Sequence, residues 1–176
     1  MNTQMEEQFN RLETERKNLF HDLKKYTDEQ LNQKPSPQAW SVAEVIAHVM
    51  AAEEYSLKYL QKKVQNTNDS PSEGIKQKWR WLLIKSVFSC NIKFKAPEIG
   101  EPKVGYTELT TLYARWTGTR TEIAKILSKL SDKELNKTLW KHAVAGKLNL
   151  HHMVQFFGIH FKRHKKQIER TLAVVK

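Results

Sequence analysis

The sequence predicts an all-α protein, an antiparallel four-helix bundle with an extra helix and a long connection between the second and third long helices. Apolar residues recur with helical periodicity along nearly the whole chain. Only 6 glycines and 5 prolines are present, which argues against a loop-rich β fold. Four long amphipathic segments in 176 residues suit one bundle and one core, so we expect residues 1–176 to form a single domain.

The first two long helices are separated by a proline-rich break. The prolines of KPSPQ, residues 34–38, cannot continue a helix. Apolar residues spaced by three, four or seven positions mark the first helix: Met5, Phe9, Leu12, Leu19 and Leu23. A similar stripe marks the second: Val42, Val45, Ile46, Val49, Leu57, Leu60 and Val64. Each stripe is the face that we expect to pack into the core.

The second half of the chain is predicted to hold an extra helix and two more long ones. After the polar run at 66–74, apolar residues favour a helix from Ile75 to about Ser89. Residues 93–105 contain two prolines and two glycines and indicate an irregular connection. The third long helix carries its stripe at Leu109, Leu112, Tyr113, Trp116, Ile123, Leu127 and Leu130. The last one runs to near the carboxyl terminus.

Capping residues predict where several helices begin. Ser41 and Glu44 have the spacing of a capping box, in which each side chain binds the other residue's backbone N–H. Ser131 or Asp132 can cap a short helix in SDKEL, and Asn149 can cap the last long helix.

Composition and charge narrow the function classes. The 39% hydrophobic content suits a folded chain, and the one cysteine, Cys90, excludes an internal disulfide or a cysteine-cluster metal site. A net charge of +11 attracts polyanions, but the basic residues are dispersed and no nucleic-acid-binding motif appears, so we do not favour nucleic acid as a partner. No apolar signal region or 18-residue apolar run is present. We expect a cytoplasmic protein with no membrane partner.

Three of the seven histidines lie on apolar faces. His160 and His164 are four residues apart on the stripe of the last helix, a spacing that points two imidazoles at one ion. His48 lies on the inward edge of the second helix, where a third imidazole could complete a metal site. Each could instead be a core histidine satisfied by one hydrogen bond. We expect His21 to be solvated and His142 to lie in a loop.

The order of these motifs resembles the DinB/YfiT-like superfamily. The matching segments are W-S-x-x-E-x-x-x-H at Trp40–His48 and H-x3-H within GKLNLHHMVQFFGIHFKRHKKQI. The resemblance covers nearly the whole chain and implies that His48, His160 and His164 are metal ligands in a four-helix bundle. It further implies a homodimer. Its members include hydrolase-like proteins and S-transferases that use the thiols bacillithiol or mycothiol.

Three neutral imidazoles favour a divalent transition metal over magnesium or calcium, with zinc our first choice and nickel our second. Such a centre can activate water for a hydrolase or a low-molecular-weight thiol for an S-transferase, and a small-molecule substrate is expected in both cases. The alternative is a non-catalytic binding module that has a structural metal and a basic face for nucleic acid or protein.

Four further residues have specific hypotheses. Glu44 can act on a bound water or orient His48, although the capping role is the favoured interpretation. Gln167 follows His164 and can hydrogen-bond the second nitrogen of a ligand, or equally the backbone or water. Arg120 can hold the carboxylate of an anionic thiol substrate, and the alternative is an ordinary surface arginine. Cys90 is better interpreted as a packed thiol than as a nucleophile.

Overall fold

A computed structural model of the chain describes residues 3–89 and 104–175. Most of them are helical, so the predicted helical class is confirmed. In chain order the elements are α1 (Thr3–Leu23), α2 (Asp28–Asn32), α3 (Val42–Lys63), a 3-10 helix (Val64–Asp69), α4 (Ile75–Ser89), α5 (Leu109–Ser128), α6 (Asp132–Leu135), β1 (Trp140–His142), β2 (Gly146–Leu148) and α7 (Leu150–Leu172). Cys90 and most of the predicted connection at 93–105 lie outside the described residues.

The predicted helix starts are confirmed by their hydrogen bonds. Ser41 Oγ accepts from the Glu44 backbone N–H at 3.2 Å, and the Glu44 carboxylate accepts from the Ser41 N–H at 2.8 Å. Ser131, rather than Asp132, caps α6 with the same reciprocal pattern. Asn149 Oδ1 accepts from the backbone of the third residue of α7 at 2.8 Å. Each bond satisfies a backbone donor that a helix leaves open at its first turn.

The core lies where the four long helices meet. α3 packs against both α5 and α7, and α1 packs against α7 and α5. α4 lies against α7 and β2. One buried cluster includes Phe157, Trp140 and Leu127, and the other includes Trp116, Ile46 and Phe161. No helix within the described residues is long and apolar enough to cross a membrane.

A β-hairpin and two short helical segments were not predicted. The segment interpreted as a loop around His142 forms an antiparallel hairpin in which Trp140 pairs with Leu148. Trp140 and His142 face inward and Lys141 outward, and Gly146 has a φ of 76°, a conformation that favours glycine. The prediction of a loop around His142 is therefore wrong, because three-residue strands give too short an alternation to recognise. The two short helical segments are α2, which is capped by Thr27, and the 3-10 helix at Val64–Asp69.

Candidate metal centre

His48, His160 and His164 come together between α3 and α7. One potential ligand nitrogen from each ring lies within 4.8 Å of the others, and the Nε2 atoms of His48 and His160 are 3.2 Å apart. His160 and His164 project together because one helical turn separates them, and the packing of α3 on α7 brings His48 opposite. We call these three residues the imidazole group.

The dimensions and donors of the imidazole group suit a transition-metal ion. Two nitrogens that bind zinc tetrahedrally at about 2.0–2.1 Å lie about 3.3 Å from each other. The 3.2 Å between the His48 and His160 nitrogens is close to that value. Imidazole nitrogens are ligands for zinc, nickel, iron and copper. The group could therefore hold such an ion with a position left open for a further ligand.

Burial keeps two of these rings, His160 and His164, in the form that a metal requires. His48, His160 and His164 are 7%, 5% and 9% exposed. Burial, reinforced by the neighbouring imidazoles, lowers the pKa of His160 well below its ordinary value. Burial and then the charge of His48 lower the pKa of His164 to about 3. At neutral pH His160 and His164 are thus uncharged and keep a lone pair for a cation.

Gln167 sets the orientation of one ring. Nδ1 of His164 donates a hydrogen bond to Oε1 of Gln167 at 3.0 Å, as the sequence suggested. With the proton on Nδ1, the lone pair of His164 is on Nε2. Such a partner on the second nitrogen fixes both the tautomer and the plane of a metal-binding imidazole.

Aromatic side chains hold the other two rings in place. Trp40 packs on His48 with 5.0 Å between the ring centroids. Phe156 stacks on His160 at 5.1 Å and 14°, and Phe88 meets the same ring at 6.0 Å. These contacts restrict ring rotation and surround the imidazole group with apolar surface, which excludes bulk water.

The structure gives no support to a catalytic role for Glu44. One of its oxygens accepts from the Ser41 backbone, and the other lies 2.8 Å from the Lys34 ammonium. The favoured capping interpretation is confirmed, and both oxygens of this carboxylate are already engaged.

The substrate-binding hypothesis for Arg120 is wrong. Its side chain is 1% exposed, and its guanidinium binds both oxygens of Glu53 at 2.8 Å. It also contacts Glu13 at 3.1 Å, and Glu13 in turn pairs with Arg16 at 2.9 Å. We call Glu13, Arg16, Glu53 and Arg120 the ion-pair network. It joins α1, α3 and α5, and it leaves Arg120 no access to a substrate carboxylate.

The remaining histidines do not join the centre. His21 is exposed, as predicted. His152 Nδ1 lies 2.8 Å from a Glu73 carboxylate oxygen, and its ring stacks on Trp81 at 4.8 Å. These contacts hold the His152 side chain against α4 and the segment before it.

The role of His142 was missed from the sequence. It is 6% exposed, and its Nδ1 accepts from the backbone N–H groups of Val144 and Ala145, both at 3.1 Å. Burial lowers its pKa to about 4, so its ring is neutral with the proton on Nε2. It contacts Phe156 at 4.6 Å, which places it behind the ring that stacks on His160. The sequence signal for its buried position was the alternation of Trp140 and His142 around Lys141, which is too short to be recognised by itself.

The helical fold and the imidazole group define a class of protein, a helical protein with a potential three-histidine metal centre. The chain belongs to the DinB superfamily, whose sequence profile matches residues 11–168. Members of this superfamily often bind metal ions. The chain is 29% identical over 159 residues to YuaE, an uncharacterized protein of Bacillus subtilis (strain 168), with 90% of each chain covered. No solved structure matches the chain.

Proposed function

We propose that this protein is a metal-dependent enzyme in which His48, His160 and His164 hold a divalent transition metal. The supporting observation is the convergence of three buried imidazoles, with a hydrogen bond from Gln167 that fixes one of them. Zinc is the first candidate and nickel the second, because both accept imidazole nitrogen readily.

The first proposed reaction is thiol-dependent S-transfer with a bacillithiol-type co-substrate, and the second is hydrolysis of a small molecule. A bound divalent ion would supply Lewis acidity that favours ionisation of a water or a thiol. The chain would hold the ion, orient His164 through Gln167 and exclude bulk water by burial. Both oxygens of Glu44 are engaged elsewhere, and a thiol needs less help to ionise than water, which favours S-transfer.

Elemental analysis of protein purified without a histidine tag tests the metal site. We expect about one equivalent of a transition metal after reconstitution, because three imidazoles are a sufficient protein ligand set. His48→Ala should lose it, whereas the exposed His21→Ala should not. Less than about a tenth of an equivalent in the reconstituted wild type would overturn the proposal.

A substrate screen separates the two reactions. The metal-loaded protein is offered electrophiles together with several low-molecular-weight thiols, and in parallel a panel of esters and amides without thiol. Turnover that requires a thiol and is lost in His160→Ala supports S-transfer. Turnover without thiol supports hydrolysis, and no turnover in either panel would count against the enzyme proposal.

A second candidate is a non-catalytic module with a structural metal and a basic face. The net charge of +11 supports it, since such a field attracts nucleic acid or an acidic protein. This candidate predicts a salt-sensitive affinity for nucleic acid that persists in His160→Ala.

The finer architecture belongs to the same proposal. We propose that residues 1–176 form one domain built on an antiparallel four-helix bundle, and that it acts as a homodimer in the cytoplasm. The mutual packing of α1, α3, α5 and α7 supports the bundle, and the single cysteine suits a reducing compartment. Light scattering on the full chain measures the oligomeric state.

A further inference from the structure

α4 presents large apolar side chains to solvent. Ile75, Trp79, Leu82 and Leu83 are 76%, 63%, 51% and 64% exposed. Single exposed apolar residues are common, but several on one face mark a surface that binds something.

These four residues form one continuous stripe. At 3.6 residues per turn they fall within roughly 100° of the helix surface. The opposite side of α4 carries the buried Trp81 and Ile84, which pack into the core beside α7. The helix is thus apolar on two faces, and only one of them is used by the fold.

The charges on α4 are all positive. Ile75–Ser89 contains three lysines and one arginine and no aspartate or glutamate. In helical projection Lys76 lies at one edge of the apolar stripe, and Lys78 and Lys85 lie at the other. All three lysines are exposed. An apolar stripe bordered on both sides by lysines is the pattern of helices that lie in the interface of a lipid bilayer.

We propose that α4 docks this protein on the surface of an anionic lipid bilayer. Trp79, Leu82 and Leu83 would enter the boundary between headgroups and acyl chains. The lysines at the edges would meet the lipid phosphates, and the charge of +11 would attract the whole molecule to that surface. This inference does not depend on the metal centre.

The same charges disfavour other occupants of the face. A second copy of the chain packed on α4 would bring lysines against lysines, with no carboxylate on that helix to compensate. Nucleic acid would match the lysines, but three of the four stripe residues are aliphatic and offer its bases no stacking partner. Our expectation of no membrane partner was based on the absence of a long apolar run. Interfacial docking needs no such run.

Vesicle binding of the full-length protein tests the proposal. We compare vesicles of equal parts phosphatidylglycerol and phosphatidylcholine with vesicles of phosphatidylcholine alone. We expect at least about tenfold stronger binding to the anionic vesicles at low salt, reduced by half-molar salt. Trp79 fluorescence should shift to shorter wavelength on binding, and that part of the signal should disappear in Trp79→Phe.

Two pairs of variants separate apolar insertion from charge. Leu82→Ser with Leu83→Ser should weaken binding at least about tenfold, because it removes buried alkyl area. Its matched control is Val144→Ser with Val174→Ser, at exposed positions outside α4. Lys76→Glu with Lys85→Glu should weaken binding similarly. Its control, Lys24→Glu with Lys129→Glu, makes the same change in net charge on other elements.

Four results would overturn the proposal. They are equal binding to both kinds of vesicle, no binding to either, unchanged binding of the leucine double variant, or equal weakening by the two lysine double variants. If light scattering instead shows a dimer that the leucine double variant dissociates, without vesicle binding, the face is a self-association surface. If nucleic acid binds and vesicles do not, the partner is a nucleic acid. Thermal unfolding of every variant verifies that the exposed substitutions leave the fold intact.

Discussion

Two groups of polar side chains lie among the long helices, the ion-pair network on α1, α3 and α5 and the imidazole group on α3 and α7, and they differ in how their charge is balanced. The ion-pair network contains two arginines and two glutamates, and Arg120 binds Glu53 through two hydrogen bonds at 2.8 Å. The imidazole group contains three histidines and, within the described residues, no carboxylate. The first group balances opposite charges within the chain, whereas the second brings together three nitrogen donors of the same kind. Buried polar groups therefore suggest a ligand site where like donors converge, and a structural role where opposite charges are paired.

The largest expected effect comes from breaking the ion-pair network. Glu53→Gln removes the charge that balances Arg120 and weakens the acceptor of the Trp116 N–H. Loss of one partner from a buried pair costs about 3–5 kcal/mol, which urea unfolding at pH 7 would measure. Metal content should be unchanged. The neighbouring Glu54→Gln, in a more exposed pair with Arg115, should cost less than about 1 kcal/mol. Equal losses of stability in the two variants would show that the buried Glu53–Arg120 pair contributes no more than the exposed pair.

Removing a metal ion from the imidazole group should destabilise the protein by less than breaking the ion-pair network does. An ion present at about a hundredfold excess over its Kd stabilises the folded state by about 2.7 kcal/mol, so chelation should lower the Tm by about 5–11 °C. His160→Ala should abolish this difference between loaded and chelated protein. His142→Ala removes a buried imidazole outside the group and should keep it. A chelator response that survives in His160→Ala would place the metal elsewhere.

A change at Gln167 should have a more limited effect on metal binding. Gln167→Ala removes the acceptor that orients His164, and such losses weaken metal affinity by about 10–100-fold. Gln167→Glu keeps an acceptor on the same nitrogen and should retain the affinity. Competition with a chromogenic chelator measures both. Equal affinity of wild type and Gln167→Ala would show that the hydrogen bond plays no part in metal binding.

Acid should destabilise the metal-free protein gradually. Burial lowers the pKa of His142 to about 4 and that of His164 to about 3, from an ordinary value of 6.5. Between pH 6.5 and its lowered pKa, each of these two histidines is protonated in the unfolded chain and neutral in the folded chain. Stability is therefore complete above pH 6.5 and falls as the pH decreases, by at most about 1.4 kcal/mol per pH unit and histidine. The Tm measured against pH in chelator tests this, with the exposed His21→Ala as the unchanged control.

Local signals predicted the helices and most of their starts. The capping box of Ser41 and Glu44 and the cap at Asn149 depend on residues within one helical turn, so the sequence carries them directly. The spacing of His160 and His164 is local in the same sense. The helix position of His48, 112 residues away from His160, suggested a third inward imidazole, and the family resemblance implied that the three act together. The distance between them required the structure.

The ion-pair network was beyond sequence reasoning. Arg120 meets Glu53 across 67 residues and Glu13 across 107, and each looks like an ordinary charged residue of a helix surface. Only the way that α1, α3 and α5 pack makes these side chains buried. For the same reason Arg120 was assigned to a substrate. The hairpin around His142 was missed because its strands are too short for their alternation to stand out.

The order in which the imidazoles occur along the chain has a consequence for biosynthesis. Only His48 belongs to the first two thirds of the polypeptide, and both remaining rings lie on the final helix, α7. A nascent chain still short of residue 160 offers one of the three nitrogen donors and cannot enclose an ion. All three imidazoles could therefore enclose an ion only after α7 has been synthesised and has docked on α3, and a chain truncated before α7 would lack two of the three donors.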